Sequence, residues 1–267
     1  MHLSALYRYP LKSASGEALQ SVEVDGLGLH GDRRWMLVDE QTGRFLSQRG
    51  LPAMARLLAR WQGDSHLLLD AAQMPPLRVA VPAANQNLRR VSVWQDELEV
   101  PDAGDAAAEW LSRLLGQACR LVHVPVERAR QVDARYAPPG ERVAFADGFP
   151  LLLIGQASLD DLCARVGRPL EMRRFRPNLV IDGGAPYAED GWRRIRIGSL
   201  ELRLVKPCSR CVIPTLDPDT GERSADLEPL ATLQRYRRGE GGVLFGQNLL
   251  VTGSGRLEVG MPVELLA

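Results

Sequence analysis

The sequence predicts a mainly β fold (α+β) with a few peripheral helices. Three observations carry this. Apolar residues return at every second position in one short run after another, the mark of half-buried strands. The segment Arg194-Ile-Arg-Ile197, Gly198-Ser199, Leu200-Glu-Leu-Arg-Leu204 reads as two alternating strands joined by a two-residue turn with Gly first. Helical stretches with recognisable start and stop residues are few and short.

Taken in order, residues 3–8 form a strand stopped by Pro10, and 22–25 form another, with Lys12 and Ser13 on the loop between them. Gly26-Leu-Gly-Leu-His-Gly31 satisfies the G-x-G-x-x-G dinucleotide fingerprint, which must also open a helix. The following Arg34-Trp-Met-Leu-Val38 is β-branched and aromatic and ends at the turn Gln41-Thr-Gly43, so a nucleotide site is rejected. Phe45-Leu-Ser-Gln-Arg49 is read as the returning partner strand. Further strands fit 67–69, 77–81 and the pair 91–94 and 98–100, joined by a Gln-Asp-Glu turn. Asp105 caps a helix over 106–115 that carries Trp110, Leu111, Leu114 and Leu115 on one side and stops at Gly116.

Residues 126–140 are rich in Arg and Pro and read as a loop or linker. An apolar run, 151–154, precedes a helix that Ser158-Leu-Asp-Asp161 opens in capping-box style and Gly167 ends, with Leu159, Leu162, Cys163 and Val166 on its buried face. After Arg176-Pro-Asn178 comes a strand over 179–181. The hairpin of 194–204 then delivers the chain to Cys208. Pro229 opens a last helix with Leu230, Leu233 and Tyr236, and strands over 245–252 and 257–265 finish the chain.

With 267 residues the chain is long enough for two modest domains, and the boundary is placed near residue 120. Lys plus Arg and Asp plus Glu are balanced at 33 each without long runs of one sign, which argues against a nucleic-acid footprint or a membrane-binding basic face. A small neutral or anionic ligand suits this balance better. Four cysteines without a regular framework fit a reducing compartment. No secretory pattern opens the chain and no 18 apolar residues run together, so a cytoplasmic protein with no membrane partner is expected.

The stretch Lys206-Pro-Cys-Ser-Arg-Cys-Val-Ile-Pro-Thr-Leu-Asp-Pro-Asp-Thr-Gly221 concentrates chemistry: two thiols, two cations that favour their thiolates, and an acidic turn. Residue types alone leave several roles open. The cysteines can be a pair of small buried residues, a nucleophile or ligands for a soft metal. Structural zinc needs two further ligands, and Cys119, Cys163, His2, His30, His66 and His123 show no finger spacing. A thioredoxin-type pair should open a helix, whereas this one follows a strand. Asp217-Pro-Asp-Thr-Gly221 imitates a calcium loop but lacks the Gly at position six and the later Glu, and reads as a turn.

The blocks Arg176-Pro-Asn-Leu-Val-Ile181, Cys208-Ser-Arg-Cys211, Asp217-Pro-Asp-Thr-Gly221 and Leu244-Phe-Gly-Gln247 resemble the MOSC domain, the C-terminal domain of molybdenum cofactor sulfurase. Upstream, Tyr9-Pro-Leu-Lys-Ser13 and Gly31-Asp-Arg-Arg-Trp35 resemble the N-terminal β-barrel domain that precedes it, and the pattern is most similar to the amidoxime-reducing branch. The resemblance runs from Tyr9 almost to the last residue. It implies an N-terminal β-barrel-like domain over 1–120 followed by a MOSC β-barrel over 121–267.

It further implies a molybdenum pterin cofactor (Mo-molybdopterin) with Cys211 as its protein thiolate and Cys208 a neighbour without a metal bond. Position by position, Lys12, Ser13 and Arg33 match contacts to pterin and phosphate. Arg176 and Asn178 match the Arg-Pro-Asn pair, Ser209 and Arg210 the segment that wraps the cofactor, and Asp147 a residue facing the pterin. The implied reaction removes oxygen from a small N-hydroxylated substrate, with electrons from a separate flavin or iron–sulfur donor protein. Many members of the branch carry two threonines after the metal cysteine, where this chain has Val212-Ile-Pro214-Thr215, so Pro214 removes a hydroxyl and a backbone donor. A non-catalytic cofactor carrier or sulfur-transfer module is the alternative. Phosphate binding by a barrel like that inserted in pyruvate kinase is weaker, because no phosphate-cradling glycine loop is left.

Overall fold

Strands dominate the computed structural model, which describes residues 1–63 and 65–266. A nine-stranded sheet forms its frame, with five smaller sheets of two or three strands around it. Three α-helices, Asp105–Leu115, Gln156–Val166 and Leu230–Tyr236, are found among the described residues. The mainly β expectation therefore holds.

The large sheet runs in the order Glu17–Leu19, His2–Arg8, Leu179–Asp182, Leu151–Gly155, Gly242–Thr252, Leu200–Ser209, Arg194–Ile197, Val263–Leu266. Only the pairing of Leu151–Gly155 with Leu179–Asp182 is parallel along this path, and the helix Gln156–Val166 lies in the crossover between them. Glu17–Leu19 covers only the second half of His2–Arg8. The first half instead bridges Pro262 through His2, with Leu3 N donating to Met261 O at 2.9 Å. This brings the two ends of the sheet together, so few ladder groups face water there.

The hairpin of 194–204 folds as its alternation demands. Ile195, Ile197, Leu200 and Leu202 are all fully buried and face one core with Leu3, Leu6, Leu153, Leu179 and Ile181. Each such side chain contributes about 1.5–3 kcal/mol relative to exposure.

Trp35–Asp39 is buried on both faces, which hides its period: Trp35 and Leu37 feed one core while Met36 and Val38 feed another. Its ladder partner is Cys119–His123, while the neighbouring 45–49 stretch returns beside it only at its start, with Phe45 bridging Val38 and Leu46 N donating to Leu37 O at 2.8 Å. That stretch is no strand. Arg44 and Phe45 make single bridges, and the chain then turns, with Gly50 N and Leu51 N both bonded to Ser47 O.

Other expectations shift by a few residues. The hairpin Leu88–Val93 and Asp96–Pro101 turns at Trp94-Gln95, so Asp96 and Glu97 belong to the ladder. The first helix is preceded by Gly104, with no side-chain cap. The second starts at Gln156, and Ser158 forms no capping box because its hydroxyl donates to the buried Glu189 carboxylate at 2.8 Å. The C-terminal strand splits into Gly255–Glu258 and Val263–Leu266, with Gly260 at φ 94° between them.

Candidate functional site

Backbone from several distant parts of the chain converges on one cleft of about 820 Å³, counting its open mouth. The strand Leu200–Ser209 ends in it with Cys208 and Ser209, and Arg210 and Cys211 follow. Ser209 Oγ donates to Gly241 O at 2.7 Å and Arg210 N to Val243 O at 2.7 Å, which fixes the start of this segment on the neighbouring strand. A Cβ at Gly242 would lie 2.6 Å from Ser209 Oγ, so a side chain there has no room. Beyond Cys211 the chain turns through Ile213–Thr215, where the fully buried Thr215 hydroxyl donates to Val212 O at 2.7 Å. That hydroxyl stabilises the turn.

All nine residues singled out in the sequence line this cleft: Lys12, Ser13, Arg33, Asp147, Arg176, Asn178, Ser209, Arg210 and Cys211. Lys12 is 5% exposed and its Nζ donates to Phe145 O at 2.8 Å and to Asp147 Oδ1 at 2.5 Å. Burial pushes its ammonium below the usual lysine range, against the pull of Asp147. Desolvation would raise the Asp147 carboxyl, but the Lys12 charge and hydrogen bond outweigh it and hold the group well below the usual carboxylate range. Its side chain remains 64% exposed, so solvent or a ligand can still reach it.

Arg33 donates to Asp32 Oδ2 at 2.6 Å, Asn178 Oδ1 at 3.0 Å and Arg176 O at 3.0 Å. Arg176 donates to Ala14 O at 2.7 Å, and burial brings it down to about 10, still cationic at neutral pH. Both guanidinium groups lie over the Tyr9 ring, at 4.3 and 4.2 Å from its centroid. Asn178 is committed to the frame: its amide oxygen also accepts from Leu152 N, and its amide nitrogen donates to Tyr7 O. The arginine between the cysteines donates to Phe175 O at 2.7 Å and to Cys208 Sγ at 3.1 Å, while its Nε is buried without a hydrogen-bond partner.

Part of the molecule's backbone strain lies here. Ser13, Arg33 and Arg176 have φ of 66°, 48° and 55°, a left-handed conformation that costs a non-glycine residue of order 1 kcal/mol. Arg33 and Arg176 are held in this conformation by their hydrogen bonds to Asn178 Oδ1, Arg176 O and Ala14 O.

Sequence reasoning missed Arg49. Its Nη2 donates to Cys211 Sγ at 3.2 Å and lies 4.0 Å from Asp147 Oδ2, and its Cζ sits 5.0 Å from the Trp94 ring centroid. Reading 45–49 as a strand obscured it, although Gly50 and Pro52 signal a turn. The loop is seated by Gly221, where an added Cβ would meet Pro52 O at 2.3 Å. The Asp217–Gly221 turn thus buttresses the loop that carries Arg49. Gln48, Phe175, Cys208 and Asn248 complete much of the wall.

Five cations (Lys12, Arg33, Arg49, Arg176 and Arg210) line the cleft against one carboxylate, Asp147. The arrangement can hold an anionic ligand by charge-assisted hydrogen bonds and present a cysteine sulfur beside it. Among the described residues no group of three or more His, Cys, Asp or Glu could hold a metal ion. A metal at Cys211 would have to bring most of its own donors.

Comparison with known proteins agrees with this picture. Residues 1–118 match the MOSC N-terminal beta barrel domain and residues 140–264 match the MOSC domain. Mitochondrial amidoxime-reducing component 1 of Mus musculus is 35% identical over 99% of this chain and 82% of its own length. The Homo sapiens protein of the same name is also 35% identical, again over 99% of this chain and 82% of its own. Molybdenum cofactor sulfurase of Oryza sativa subsp. japonica is 31% identical over 92% of this chain and 32% of its own length.

Proposed function

The chain belongs to the MOSC family, and on that premise we propose that it is a molybdenum-cofactor-dependent oxidoreductase that reduces N-hydroxylated compounds by removing their oxygen. The observation that carries the reading is the single basic cleft in which Cys211 meets Lys12, Arg33 and Arg176, residues drawn from distant parts of the chain. The residues fit the cofactor. Its phosphate and pterin call for cations and aimed donors, its metal calls for one soft thiolate, and the buried Arg210 Nε is a donor without a partner.

Cys211 would be the protein ligand to the metal, with Arg49 Nη2 hydrogen-bonded to its sulfur. Lys12, Ser13, Arg33 and Arg176 would hold phosphate and pterin. Asp147 would accept from the pterin ring, with Lys12 keeping it ionised, and Ser209 and Arg210 would wrap the cofactor from the other side. Asn178 would act by holding Arg33 in place. When bound, the cofactor supplies the two-electron chemistry that removes oxygen from nitrogen. The protein's part is to bind it, orient it and present the substrate in a partly desolvated cleft.

The electrons would come from a separate donor protein of the flavin or iron–sulfur kind. Of the residues from Val212 to Thr215 only Ile213 lines the cleft and would meet substrate, since Thr215 is buried and spends its hydroxyl on Val212 O. Among the described residues no helix is long and apolar enough to cross a membrane.

The test is production in a host that makes the cofactor, followed by metal and pterin analysis and by benzamidoxime reduction with an artificial donor. About one molybdenum per chain is expected for a single thiolate ligand, and Cys211→Ala should lose the activity. Full reduction by the alanine variant would refute the mechanism. One observation favours a second reading, a sulfur-transfer module: Cys208 also lines the cleft and its sulfur also accepts from a guanidinium. Labelled sulfur appearing on Cys208 or Cys211, with no turnover under any donor, would select it.

A further inference from the structure

Trp94 has no role in the core. It occupies the turn of the hairpin Leu88–Val93 and Asp96–Pro101 with φ 57° and is 47% exposed, while the other four tryptophans are buried or half-buried. A large aromatic on a surface turn in a left-handed conformation costs both hydration and backbone strain. What holds the ring in place is the site. Its Nε1 donates to Asp147 Oδ1 at 3.2 Å, Phe45 packs on it at 4.9 Å between centroids, and Arg49 lies over it.

Outside this indole is a second, shallower cavity of about 920 Å³ with its mouth, lined by Arg44, Phe45, Trp94, Asp96, Arg130 and Asp147 among others. Asp147 also lines the first cleft, so the two cavities share a wall. A single guanidinium spans the step between them, since Arg49 touches both the Trp94 ring and Cys211 Sγ.

We propose that this outer cavity is the subsite for the planar part of the substrate and that Trp94 is the specificity-determining residue, selecting flat conjugated N-hydroxylated amidines and bases over small aliphatic hydroxylamines. The proposal rests on the reductase reading above. A conjugated amidoxime is a flat π-system that stacks on an indole face, and its amine N–H group finds an acceptor in the carboxylate of Asp96. Asp96 is fixed for this by Arg130, whose Nη1 donates to it at 2.7 Å. Seated there, the ligand points its N–O end past Arg49 towards Cys211. Hydroxylamine is too small to reach the indole from that end and gains nothing from it.

Two measurements test this. Benzamidoxime titrated into the purified chain without reductant should change indole emission saturably. Trp94→Phe, which keeps an aromatic plate, should lose that signal yet retain binding by calorimetry, and Trp94→Ala should bind roughly ten-fold more weakly. In the cofactor-loaded enzyme, Trp94→Ala should lower the ratio of kcat/KM for benzamidoxime over hydroxylamine roughly ten-fold, chiefly through the benzamidoxime KM. Equal benzamidoxime affinity in wild type and Trp94→Ala, or an unchanged ratio, would overturn the proposal. Wild type that reduces neither compound would instead overturn the reductase reading, and the titration would still decide the subsite.

Discussion

Acid should weaken this fold well before its carboxylates protonate, because of one histidine. His123 ends the strand Cys119–His123 opposite Trp35, 7% exposed, its ring 4.7 Å from that of Trp35 and stacked at 6.3 Å on Trp61. Burial, with the nearby Arg34 charge, lowers its pKa from 6.5 to about 4. The folded chain therefore keeps His123 neutral where the unfolded chain binds a proton. Stability from this group is complete above pH 6.5 and is lost as pH falls from 6.5 towards 4. The gap of roughly 2.5 pH units at about 1.36 kcal/mol each caps the effect at ~3 kcal/mol, with about 2 kcal/mol gone by pH 5. For a chain of this size that corresponds to roughly 4–8 °C in Tm. The assay is urea unfolding of wild type and His123→Phe at pH 8, 6.5 and 5. Phenylalanine keeps a flat ring against both tryptophans and removes the buried Nδ1, which has no hydrogen-bond partner. Wild type should lose about 2 kcal/mol more than the variant between pH 8 and 5. Equal losses would refute the reasoning.

Two further perturbations probe the frame around the site. Asp102 is 6% exposed and accepts from Arg89 Nε at 2.9 Å, from Arg120 at 2.8 and 2.7 Å and from Gly104 N at 2.8 Å. Asp102→Ala should cost about 1–3 kcal/mol in urea unfolding, since Arg120 keeps Asp105 as a partner at 2.8 Å but Gly104 N and Arg89 Nε lose theirs, and Asp102→Asn less. Gly221→Ala, at φ 76° and with Pro52 O in the way, should cost about 1–3 kcal/mol and reduce molybdenum content, because the Arg49 loop must shift. An unchanged melting temperature with full metal content would show that the buttress is not needed.

Legibility in the sequence followed the range of the contacts. The hairpin of 194–204 was plain, since both partners and their turn are contiguous and one face is buried. Cys119–His123 was invisible as a strand because its partner, Trp35–Asp39, lies far upstream and both of that strand's faces are covered. Trp94 read as a strand residue because its aromatic character fits a ladder, whereas the register puts it on the turn. Eight of the nine candidate site residues came from ordered motif blocks and Asp147 from its match to a residue facing the pterin, and the structure brings all of them to one cleft. Arg49 lay outside those blocks, and only the folded loop reveals that it reaches the thiol.

The long sequence separation between two neighbouring strands of the large sheet has a consequence for synthesis. His2–Arg8 lies against Leu179–Asp182, so this strand, once synthesised, must wait for about 170 more residues, roughly ten seconds or longer at cellular elongation rates. During that interval Leu3 and Leu6, destined for full burial, have no partner on that side. A nascent chain of this design needs these apolar side chains shielded until the later half emerges, and slow translation should raise its dependence on chaperones.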